Sequence, residues 1–176
     1  MQDANGAPSC IEWSGYGQDP ISAQLHDAFA TAFGLEGEKA DRMRVLPVAT
    51  GSAANGLAMA AMTAGSSLSV IACHETAHIY TDELNAASFF SGGAQIAPIR
   101  CDPSQHGKLT PADVQEALSA RFGSVMFGGF RVLSLTQATE SGTTYTPDEV
   151  AALASTAHDR GLLVPMDGAR LPHALA

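Results

Sequence analysis

Residues 67–83 read SLSVIACHETAHIYTDE, and the fold turns on how this stretch is read. As a bare pattern its middle, HETAH (74–78), is H-E-x-x-H. On one helix face that spacing presents two zinc-binding imidazoles and a glutamate for metal-bound water. The geometry requires a helix already running at His74. SLSVIAC is instead a short apolar run of strand character, and Thr76 is a residue type that caps helices. The expectation is therefore a strand to residue 73, a connection holding His74, and a helix from about Thr76. The metal spacing is then lost, and a third ligand is hard to name, because the next histidine is His106 and no glutamate lies between Glu83 and Glu116. Three readings stay open: a zinc site, histidines that only cap or pack, and a role for His78 alone as a flat ring covering a planar ligand at a strand end.

Outward from this stretch, helix-like and strand-like segments alternate. SAQLHDAFATAF (22–33) places Leu25, Phe29, Ala32 and Phe33 on one face before Gly34. RVLPVAT (44–50) reads as a strand interrupted by Pro47, leading through a turn into a helix, GSAANGLAMAAMTAG, that ends at Gly65. HIYTDELNAASFF (78–90) is helical in character, AQIAPI (94–99) strand-like. Two further helices open with Thr110-Pro111 and with Thr146-Pro147-x-Glu149, signatures of capped starts. RVLSLTQ (131–137) and LLVPMD (162–167) supply strands, whereas ARFGSVMFGGFR (120–131) has no clear periodicity. Strands separated by helices of about 10–15 residues predict an α/β fold, a mostly parallel sheet flanked by helices with its chemistry at the carboxyl ends of the strands.

The composition narrows the function. With 18 acidic against 9 basic side chains, net charge −9 and no block of Lys or Arg, the chain lacks a phosphate-neutralising surface, which argues against nucleic acid and anionic membrane as partners. MQDANGAPSCIEW has no signal-peptide pattern, and no run of about eighteen apolar residues occurs, so a cytoplasmic location is expected. Cys10, Cys73 and Cys101 are an odd set without C-x-x-C spacing and read as buried or incidental thiols.

Two further stretches carry candidate chemistry. In TGSAANG (50–56), Gly51 allows close backbone approach, Ser52 supplies a hydroxyl, and the amides of a helix start attract an anion such as phosphate; a plain tight turn is the alternative. MDGAR (166–170) places Asp167 at the carboxyl end of a strand expected to be central and buried. It would pair there with Arg170 in a salt bridge, or face a protonated ring nitrogen while Arg170 takes an anionic group. A phosphate cradle, a flat ring and a buried aspartate together are the fittings for pyridoxal phosphate.

In order, TGSAANGLA, HETAHIYTDE, SGG (91–93), GKLTP (107–111), LTQATESGTTYTPDEV (135–150) and MDGARLPHA (166–174) resemble the threonine aldolase/β-eliminating lyase family, and GYGQDP (15–20) resembles that family's early Y-G-x-D-P segment. The resemblance runs from about Gly15 to the last residue. It implies the aspartate-aminotransferase-like fold, type I of the pyridoxal phosphate enzymes, with residues 1–176 forming part of the large cofactor-binding domain. It implies further that Gly51 and Ser52 bind the cofactor phosphate, His78 stacks on the ring, Glu83 holds an active-site acidic position, Gln137 lies near the ring oxygen, Asp167 faces the pyridine nitrogen and Arg170 binds the substrate carboxylate. The implied reaction is cleavage of threonine or allo-threonine to glycine and acetaldehyde by a homodimer or homotetramer. The alternatives are β-elimination from an amino acid, or a catalytically inactive binding module. The family's Schiff-base lysine follows D-G-A-R in a serine-lysine-glycine context. Neither Lys39 nor Lys108 stands in such a context, so the expectation is a partial chain, without that lysine or the small C-terminal domain, and with little activity alone.

Overall fold

The computed structural model describes residues 19–65, 68–121 and 129–175. Cys10, residues 15–18 of GYGQDP and residues 122–128 of the glycine-rich stretch lie outside them. The chain separates into two compact units, one ending at Pro47 and one beginning at Val48.

In the first unit, α1 (Pro20–Ala32) begins at Asp19, whose carboxylate accepts from the amides of Ile21 and Ser22 at 3.0 and 2.9 Å. A short α2 (Glu38–Arg42), not expected from the sequence, follows the turn at Gly37. RVLPVAT forms no strand. Pro47 lacks an N–H for a ladder, and Leu46 and Val48 are exposed rather than buried on one face.

The second unit is a parallel sheet between two helical layers. Its elements are α3 (Gly51–Thr63), β1 (Ser69–His74), α4 (His78–Thr81), α5 (Ala86–Phe90), β2 (Gln95–Ile99), α6 (Pro111–Arg121), β3 (Gly129–Thr136), α7 (Pro147–His158), β4 (Met166–Asp167) and α8 (Leu171–Ala174). The described strands lie in the order β2-β1-β3-β4, all parallel. Alternation along the strands builds two cores. Ile71, Cys73 and Val132 face Met59 of α3 and Ala87 of α5. Ala72, Leu133 and Leu135 face Val114 and Leu118 of α6 and Leu153 and Ala157 of α7.

The predicted helix starts hold at α7, where Thr146 and Glu149 form a reciprocal capping box, the Glu149 amide donating at 3.2 Å and the Thr146 amide at 2.7 Å. The long helix expected over 78–90 divides in two, because Leu84 and Asn85 take left-handed backbone (φ 47° and 61°) and set Leu84 wholly in solvent. LLVPMD shrinks to a two-residue strand, since Pro165 interrupts it, although Leu133 and Leu135 amides still donate to the carbonyls of Leu163 and Pro165. Among the described residues no helix is long and apolar enough to cross a membrane.

Candidate active site

HETAH is resolved by its neighbours. His74 is the last residue of β1 and His78 the first of α4, so the two imidazoles share no helix face. The N-cap is Ala77 rather than Thr76, whose amide and hydroxyl instead meet His74 Nδ1 at 3.1 and 2.9 Å. Burial holds the His74 imidazole below its ordinary pKa, with Glu75 and Asp113 opposing.

At the same end of the sheet, Gly51, Asn55, Met59, Ser134, Asp167 and Ala169 line a cleft of about 300 Å³, within the range of small-molecule sites. Three elements supply these residues. The first turn of α3 brings Gly51 and, one turn on, Asn55. Thr50 caps that helix by accepting from the Ala53 amide at 3.1 Å. A Cβ built on Gly51 would meet no heavy atom within 4 Å, so the space beside this backbone is open to a ligand. Ser52 is half-buried as the second residue of the helix.

Asp167 stands at the carboxyl end of β4, half-buried and at the edge of the described sheet rather than central. One carboxylate oxygen accepts from the Ala169 amide at 3.0 Å, the other from Asn55 Nδ2 at 3.2 Å. The expected pairing with Arg170 is replaced by another: both terminal nitrogens of Arg170 donate to Glu140, at 2.8 and 2.9 Å. This two-point pairing with Glu140 holds the guanidinium above its ordinary pKa.

His78 joins the same neighbourhood. Its Nε2 lies 3.8 Å from Glu83, and its Nδ1 lies 3.5 Å from Asp82 and 4.0 Å from Glu140. Glu83 is fully shielded and accepts from Asn55 Nδ2 at 3.0 Å. Arg170, Glu140, His78, Glu83, Asn55 and Asp167 thus form a run of polar contacts that reaches the cleft at Asn55 and Asp167. The Gln137 side chain is engaged by the loop after β3: its Nε2 donates to the Tyr145 carbonyl at 2.8 Å and its Oε1 accepts from the Tyr145 amide at 2.9 Å.

Asn55, Glu140 and Ser134 were not singled out from the sequence. The signal for Asn55 was its spacing: four residues after Gly51, it must share that glycine's helix face. The signal for Glu140 was weaker, a lone acid in the Q-A-T-E turn.

The family model of the β-eliminating lyases matches residues 1–176. The chain belongs to the β-eliminating lyase family. Low-specificity L-threonine aldolases of Pseudomonas sp. (strain NCIMB 10558) and Pseudomonas aeruginosa are each 38% identical to it over 161 residues, which is 92% of this chain and 43% of theirs. The chain therefore spans less than half the length of these curated relatives. Among solved structures, the Leishmania major threonine aldolase superposes with a TM-score of 0.80 at 25% identity, over 95% of this chain and 45% of that one. An aspartate aminotransferase from Rhodobacter sphaeroides matches with a TM-score of 0.60 at 18% identity, over 88% and 37%. The β-eliminating lyase chain thus has the aspartate-aminotransferase-like architecture expected for it.

Proposed function

We propose that this chain is the cofactor-binding part of a pyridoxal phosphate-dependent lyase that cleaves threonine or allo-threonine to glycine and acetaldehyde, in a homo-oligomeric cytoplasmic enzyme. The observation that carries the reading is one cleft lined by both the open backbone of Gly51 and the carboxylate of Asp167. The Pseudomonas relatives support the substrate.

Within this reading the residues divide the work. The first amides of α3, beside Gly51 and Ser52, take the phosphate, because they lack intrahelical acceptors and lie at the positive end of the helix dipole. Asp167, held by Asn55 and the Ala169 amide, keeps a proton on the pyridine nitrogen. The bound cofactor supplies an electron sink for the carbanion left when a bond to the substrate Cα breaks. His78, flanked by Asp82, Glu83 and Glu140, covers the ring and orients the substrate hydroxyl whose proton must leave. Arg170 meets the substrate carboxylate with the donors that Glu140 leaves free.

The test titrates the protein with pyridoxal phosphate and assays products from threonine. One cofactor per chain, lost in Asp167→Ala, is expected of this chain; acetaldehyde in step with glycine is expected only where the Schiff-base lysine is also supplied, and little of either from this chain alone. Pyruvate from serine without acetaldehyde from threonine would instead establish β-elimination, and cofactor binding unaffected by Asp167→Ala would refute the site.

A further inference from the structure

Two carboxylates meet on one amide behind the cleft. Asn55 Nδ2 lies 3.0 Å from Glu83 Oε1 and 3.2 Å from Asp167 Oδ2. An amide nitrogen carries two hydrogens, so each carboxylate takes one and the donor capacity of Asn55 is filled. Glu83 has no exposed side-chain surface, and its Oε2 has no hydrogen-bond partner among the described residues. A buried carboxylate with one amide hydrogen bond, and the His78 ring no nearer than 3.8 Å, is an expensive way to stabilise a fold. It is an effective way to lock an amide plane, because Asn55 cannot rotate away from Asp167 without also abandoning Glu83.

The position of Asn55 gives that lock a use. It lies one helical turn after Gly51, on the same face of α3, and both residues line the cleft. Behind them Gly56 lies against Phe90: a Cβ there would come within 2.9 Å of the ring, so α3 is seated closely on α5. A single rigid element therefore carries the anion cradle at its tip and the grip on Asp167 one turn along. The other charged groups at this end, His78 and Asp82 from the α4 region, Glu140 beyond β3 and Arg170 beyond β4, pair with one another, and His78 Nε2 also faces Glu83 at 3.8 Å.

We propose that Asn55 is a positioning residue: acting through Asp167, it fixes the carboxylate that faces the ring at a set distance from the phosphate cradle, with Glu83 as the counter-acceptor that holds its amide in plane. This rests on reading the cleft as the pyridoxal phosphate site.

The experiment measures two affinities on the purified protein, for pyridoxal phosphate by calorimetry and for inorganic phosphate by ³¹P nuclear magnetic resonance, together with thermal midpoints. Asn55→Ala should weaken pyridoxal phosphate binding tenfold or more while phosphate affinity stays within twofold, because the helix tip is untouched. It should also lower the thermal midpoint, because Glu83 loses its one amide partner. The double variant Asn55→Ala/Glu83→Gln removes that buried charge; its midpoint should recover while pyridoxal phosphate binding stays weak. Recovery of both in the double variant would show that Asn55 serves only to satisfy Glu83, and would overturn the proposal. So would parallel loss of phosphate and cofactor affinity in Asn55→Ala, the mark of a displaced helix. If the unaltered protein binds neither probe, the reading of the cleft fails before any variant is made.

Discussion

Gln137 offers a direct choice between a ligand contact and a structural brace. The residue is 7% exposed, and its side chain bonds both backbone groups of Tyr145. Tyr145 is itself a core residue whose hydroxyl accepts from the Leu109 amide at 2.7 Å, and burial pushes that hydroxyl up to about 12, so it stays a neutral hydrogen-bonding group. Gln137→Ala leaves a buried N–H and a buried C=O without partners, each costing about 1–3 kcal/mol, less where water enters the space vacated. A net loss of about 2–4 kcal/mol lowers the thermal midpoint by about 5–12 °C at this chain length. Gln137→Glu separates the two bonds: it keeps an acceptor for the Tyr145 amide but sets a carboxylate oxygen against the Tyr145 carbonyl, and should be at least as unstable as the alanine variant near neutral pH. Differential scanning calorimetry reads the midpoints, and a pyridoxal phosphate titration below them reads affinity, expected to change less than threefold. An unaltered midpoint with cofactor affinity lost tenfold would refute the brace and restore Gln137 to the ring.

Three other outcomes follow from the site and its surroundings. Gly51→Ala places a methyl group where no protein atom stands, so the thermal midpoint should hold or rise while calorimetry shows pyridoxal phosphate binding weakened about tenfold, equivalent to about 1.4 kcal/mol. Glu140→Gln removes a partly exposed partner of Arg170 and a negative charge from the site, so glycine, titrated into the cofactor-loaded protein, should bind about two- to fivefold more tightly; weaker binding would show that Glu140 orients the guanidinium instead of occupying it. The Glu149 carboxyl lies below its ordinary 4.5 because Lys108 and then the Thr146 amide bond it. A lowered folded-state pKa stabilises above the unfolded value and loses that stabilisation as pH falls through the folded one. Stability measured in urea should therefore decline below about pH 4.5, and Lys108→Met should flatten that decline.

What the sequence disclosed of this molecule was whatever local chemistry decides. Thr146, Pro147 and Glu149 announce α7 because a capping box is complete within four residues. SLSVIAC announces β1 because its apolar run is too short and too β-branched for the helix HETAH would need. Where a partner lies far along the chain, the sequence is silent or misleads. Asp167 and Arg170 stand three residues apart and invite pairing, yet Asp167 is held by Asn55, 112 residues away, and Arg170 by Glu140, 30 residues away. The split of 78–90 into α4 and α5 was hidden for a related reason, since the left-handed turn at Leu84 and Asn85 falls where the segment still reads as helical.

The same distinction explains which part of the site is rigid. Gly51 and Asn55 are fixed relative to each other by one turn of α3, a local constraint that survives any rearrangement short of unfolding that helix. His78, Glu83 and Arg170 come from short elements, α4, the turn after it, and the entry to α8, where only a few local backbone hydrogen bonds and the side-chain pairings hold them. On the proposed reading, a ligand in the cleft would meet a preset spacing from the cradle at Gly51 to the Asp167 carboxylate that Asn55 holds, and less constrained groups around the rest. The division suits a site that grips one constant molecule along α3 and lets a variable substrate select the positions of Arg170 and His78. It also orders the perturbations: substitutions on α3 should change cofactor affinity, whereas those at Glu140 and Arg170 should act first on the amino acid.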